Sequence, residues 1–83
     1  MMTKEEISEK IRGIVADQLG VNIEAVTEES NFQNDLGADV LDFYEIVMKI
    51  ENAFEIDIPD DDEEKLTTLG RAVEYITAIV AKH

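Results

Sequence analysis

The chain has no cysteine and no tryptophan, a single proline and a single histidine. Without cysteine, disulfide staples and thiolate metal sites are excluded, and helix packing alone must hold the fold. The lone histidine, His83, is the last residue and reads as a frayed end, so no Ser/His/Asp or Cys/His set can assemble around it. Cations are also scarce: seven Lys and Arg against twenty Asp and Glu leave a formal charge of −13. Such a charge repels nucleic acid and anionic membranes and steers the chain toward basic partner surfaces, while also keeping a small protein dissolved. No apolar run is long enough to span a bilayer, and the opening "MMTKEEISEK" enters a charged, helix-like pattern rather than a signal peptide. The expectation is a cytoplasmic, monomeric protein with no membrane insertion.

Eighty-three residues, 45% of them apolar, allow one domain spanning 1–83 with a compact but small core. Thr3 and Glu6 form a capping box, and Ile7, Ile11, Ile14, Val15 and Leu19 recur at helical spacing before Gly20 supplies a stop. This predicts a helix over residues 4–19. From Gly20 to Ala38 no periodicity is sustained, which describes a long loop that Val21, Ile23, Val26, Phe32 and Leu36 should pin across the helices. Asp39 is a good N-cap for a second helix reaching to about Ala53, with Asp42 favourable against its positive end. The acidic run after Pro59 opens only a short helix. A last helix follows Thr68, with Ala72, Val73, Ile76, Ile79 and Val80 on its buried side. The fold class is therefore all-α: three main helices plus one short helix, with a long loop between helices one and two.

Winding Val40 to Phe54 at about 100° per residue separates two apolar stripes. Phe43, Ile46, Val47, Ile50 and Phe54 should face the core. Leu41, Tyr44 and Met48 fall on another side, flanked by Asp42, Glu45 and Asn52. A helix with one buried face has no use for this second stripe. It reads either as a docking surface for a basic, partly apolar partner or as satellite core beneath the loop. The acidic run from Asp57 to Glu64 fits a solvated face; a calcium loop would need a glycine that is absent, and Pro59 takes a ligand place. No metal site and no catalytic residue is expected.

The segments "DQLGV", "DLGAD", "LD", "EIVMKIE", "IDIPD", "EEKLTTLG" and "AVEYI" occur in an order and spacing that resembles the bacterial type II acyl carrier protein over essentially the whole chain. The resemblance implies a small four-helix bundle and no enzymatic activity of its own. It implies a serine at the start of helix two bearing 4'-phosphopantetheine, whose thiol carries acyl thioesters in fatty-acid or related synthesis. It also implies that Asp39, Leu41, Asp42, Glu45, Met48 and Glu51, with Tyr44 beside them, form the surface that docks on basic enzymes of acyl synthesis and on phosphopantetheinyl transferase. Phe32, Ile46, Val47, Ile50, Phe54, Ile58, Leu66 and Ala72 take core or acyl-pocket places.

The departures lie on helix two. Val40 stands where the resemblance places the serine, Phe43 where a threonine is common, Tyr44 where a valine is common, and Lys49 where the family has a small neutral residue. Valine has no hydroxyl, and the only serines, Ser8 and Ser30, lie outside the motif, so this chain is expected to carry no cofactor. Phe43 is expected to point inward and fill space that a conventional carrier keeps for its acyl chain. Two functions remain: a carrier whose loading site is lost, or a carrier-derived module that docks on enzymes without ferrying acyl groups.

Overall fold

The computed structural model describes residues 2–80. Three α-helices, α1 (Lys4–Leu19), α2 (Val40–Phe54) and α3 (Leu69–Val80), carry the fold, with a 3-10 helix at Asp60–Leu66 between the last two. The order and the limits follow the sequence pattern. One element goes beyond it: a 3-10 turn at Ile23–Ala25 inside the long loop, too short to leave a periodic signal. His83 lies outside the described residues.

The helix ends form where the side chains dictate. Thr3 and Glu6 make the reciprocal capping box of α1, and Gly20 closes the helix in a left-handed conformation at φ 65°, its N–H reaching Ala16 O. α2 has a box of the same form built from two aspartates. Asp39 accepts from the Asp42 N–H at 2.8 Å, and Asp42 accepts from the Asp39 N–H at 3.2 Å. The other end of α2 is less comfortable, because Glu55 rather than glycine takes the left-handed position at φ 56°.

α1 packs against both α2 and α3, and α3 also packs on the acidic 3-10 helix. The core gathers Ile7, Ile11 and Val15 from α1, Ile46, Val47 and Ile50 from α2, and Leu69, Ala72, Val73 and Ile76 from α3. Val26 and Phe32 enter it from the long loop and Ile58 and Leu66 from the second connection, all buried. The two ends of the inward stripe of α2 depart from full burial. Phe43 and Phe54 are half-buried and pack against the cluster from its edge, because the core tapers toward the helix termini. Ile79 and Val80, at the end of α3, are half-buried for the same reason.

The long loop is sewn to the start of α3 by main-chain groups. Phe32 N–H donates to Thr67 O at 2.9 Å, Leu69 N–H to Ser30 O at 3.3 Å, and Gly70 N–H to Glu28 O at 2.9 Å. The last approach is close: a Cβ at position 70 would meet the Glu28 oxygen at 3.1 Å. From the other side, the Arg12 guanidinium donates to Val26 O and Ile23 O, each at 2.9 Å, and holds the 3-10 turn against α1. Charged donors on these two carbonyls, of which Ile23 O also accepts the Val26 N–H at 3.1 Å, make this loop an ordered strap across the bundle.

Candidate functional site

The loop delivers the chain to Asp39, whose cap starts α2 with Val40 as the first helical residue. Val40 is 78% exposed and Leu41 73%, followed along the same side by Tyr44 at 52% and Met48 at 41%. These four side chains make an apolar strip running down the outer side of α2 from its first turn, while Ile46, Val47 and Ile50 face the core. The second stripe therefore does not lie under the loop or α3.

The carboxylates around the strip divide into two kinds. Asp39 and Glu45 are exposed, and among the described residues Glu45 forms no ion pair or side-chain hydrogen bond. Asp42 and Glu51 are half-buried and already engaged. Asp42 uses one oxygen for the helix cap and offers the other to Gln18 Nε2 at 3.3 Å. Glu51 accepts the Ile58 N–H at 2.7 Å and so holds the second connection against the end of α2. Of the residues expected to form one docking surface, Leu41, Tyr44, Glu45, Met48 and Asp39 thus reach solvent, while Asp39, Asp42 and Glu51 serve local structure as well.

Phe32, Ile46, Val47, Ile50, Ile58, Leu66 and Ala72 are all buried within the shared core. The neighbouring acidic corner is electrostatically loaded. Burial first, and then the nearby Asp60, push the Glu63 carboxyl above its usual range. Among the described residues no group of three or more His, Cys, Asp or Glu side chains is arranged to hold a metal ion. Ser30 is buried and bonded to the Thr27 N–H at 3.0 Å, and Ser8 is half-buried on α1, so neither serine stands at the start of α2. A surface groove of about 550 Å³ lies between α1 and the following loop, lined by Lys10, Ile14, Asp17, Val21 and Ile23 among others. It shares no residue with the α2 strip.

Residues 9–76 match the family described as the phosphopantetheine attachment site. The chain belongs to the acyl carrier protein family. It is 51% identical over 80 residues to the acyl carrier protein of Guillardia theta, covering 96% of this chain and 99% of that one. It is likewise 51% identical over 75 residues to the acyl carrier protein of Lactobacillus johnsonii, covering 90% and 94%. Its fold is similar to the solved acyl carrier protein from Enterococcus faecalis, with a TM-score of 0.79 at 36% identity, over 93% of this chain and 98% of that one. Acyl carrier proteins are carriers rather than enzymes. No helix among the described residues is long and apolar enough to cross a membrane.

One contributor to the site was not visible in the sequence. Gln18 meets α2 from the end of α1 through hydrogen bonds to residues 24 and 31 positions away. Val40 adds its own exposed side chain to the apolar strip. It lies four residues before Tyr44 and about 40° from it around the helix, so helical spacing places it at the edge of the same strip.

Proposed function

We propose that this chain keeps the docking half of an acyl carrier's work and lacks the loading half. Loading joins a serine oxygen to the phosphate of 4'-phosphopantetheine, and a phosphopantetheinyl transferase needs that hydroxyl as the nucleophile. At the first position of α2, where the resemblance places the serine, Val40 presents an exposed aliphatic side chain. This single observation carries the reading. The residues present do not fit the prosthetic group of the family, so no acyl-carrying step runs through this chain.

What remains is a surface suited to the enzymes of fatty-acid or related acyl synthesis. Leu41, Tyr44 and Met48 supply apolar contact, and Asp39 and Glu45 supply exposed negative charge beside it. With a net charge of −13 the chain attracts basic recognition surfaces and repels a second copy of itself, which favours a monomer bound to an enzyme.

Mass spectrometry after incubation with a phosphopantetheinyl transferase and coenzyme A tests the reading. The unchanged chain is expected to keep its mass, and Val40→Ser to gain the prosthetic group. A gain on the unchanged chain, at Ser8, Ser30 or a threonine, overturns the loss of loading. A Val40→Ser chain that binds no transferase and stays bare overturns the retained docking.

A further inference from the structure

A cation stands beside the docking strip. Lys49 lies on α2 four residues after Glu45, the spacing and order at which a glutamate and a lysine ordinarily pair on a helix surface. The Lys49 ammonium instead donates to Gln18 Oε1 at 2.6 Å, across the junction with α1. The same amide turns its NH₂ to Asp42 Oδ1 at 3.3 Å. The polarity of both contacts matches: the carbonyl oxygen meets the cation and the amino group meets the carboxylate, so the amide is oriented by its neighbours. Glu45 is left exposed and, among the described residues, without an ion pair.

We propose that Gln18 sets the charge of the docking face by holding Lys49 at its flank. On the helical wheel Lys49 sits about 40° from Glu45, on the side turned toward α1 and away from Met48. Held there, the ammonium leaves the Glu45 carboxylate open to a basic partner. Without Gln18, Lys49 returns to the ordinary pairing with Glu45 and neutralises the charge next to Leu41 and Met48. Gln18 thus acts as a positioning residue on a helix that carries none of the strip. The inference rests on α2 being the docking face and adds which residue governs its charge.

The test is titration of the chain with a phosphopantetheinyl transferase, measuring Kd and the association rate at low and high salt. Gln18→Ala is expected to weaken binding by about three-fold at low salt, mainly through slower association, and to have a smaller effect at high salt. In a Lys49→Ala background the same change is expected to do nothing, because the cation it would release is gone. Gln18→Glu keeps an acceptor for Lys49 but sets a carboxylate against Asp42. Binding near that of the parent is expected if Gln18 acts through Lys49, and binding poorer than Gln18→Ala if it acts by supporting the α2 cap. Urea melts of each variant identify any loss that comes from unfolding. Leu41→Ala and Glu45→Lys serve as the controls on the underlying reading, and if neither weakens binding, docking through α2 is wrong. If both weaken it while Gln18→Ala is silent, or while its loss persists without Lys49, the role of Gln18 alone is overturned.

Discussion

Tyr75, on α3, donates its hydroxyl to the carboxylate of Asp62 in the acidic 3-10 helix at 2.6 Å. Lys65 closes on the same carboxylate at 3.2 Å. The bond ties a strongly negative segment to the bundle, and it shows in both partners. The Tyr75 hydroxyl, followed by Lys65, holds Asp62 below the usual aspartate value of 3.8. Burial, followed by Asp62, pushes Tyr75 up to about 12.

The signs of these shifts give a stability profile. The lowered Asp62 contributes stability above the usual aspartate range that is lost as pH falls through its folded value. The raised Tyr75 contributes stability below 10.0 that is lost as pH rises toward about 12. Tyr75→Phe is therefore expected to melt a few degrees below the parent at neutral pH, with the gap closing at both extremes. Thermal melts across pH check this, and a gap independent of pH would show that packing rather than the hydrogen bond is lost.

Phe43 is half-buried at the edge of the core, so its truncation should cost less than a fully buried phenylalanine and far more than a solvated one. Phe43→Ala is expected to lose about 2 kcal/mol in urea melts. A loss under about 0.5 kcal/mol would mean the ring contributes nothing to the bundle and fills no part of its interior.

Glu55 occupies a left-handed backbone position at the carboxyl end of α2, where both its Cβ and its charge are unfavourable. Glu55→Gly is expected to stabilise the chain by about 1 kcal/mol, the relief of strain outweighing the added freedom of the unfolded chain. Measured in denaturant, an unchanged or lower midpoint would show that this terminus is not strained.

The helix limits were legible because they rest on neighbours in sequence. Thr3 with Glu6, Gly20, and Asp39 with Asp42 are short-range devices, and the structure uses each of them. The outward direction of Leu41, Tyr44 and Met48 also follows from one helix's own winding. What the sequence could not reveal depends on segments meeting from a distance. Arg12 on two loop carbonyls, Glu51 on Ile58, and Gln18 between Asp42 and Lys49 all join residues that no local pattern relates. Phe43 and Phe54 share the periodic stripe with Ile50, yet only the middle of that stripe is fully covered, because periodicity gives direction and not depth.

The closure of the long loop on α3 divides the burden of inheritance unevenly. Its bonds run between peptide groups, which almost any residue supplies, so the exposed side chains of Glu28, Glu29, Gln33 and Asn34 can be exchanged over generations without opening the seam. Gly70 has less liberty, since a Cβ there would stand 3.1 Å from the Glu28 carbonyl oxygen and a larger residue enters only if the seam yields by a few tenths of an ångström.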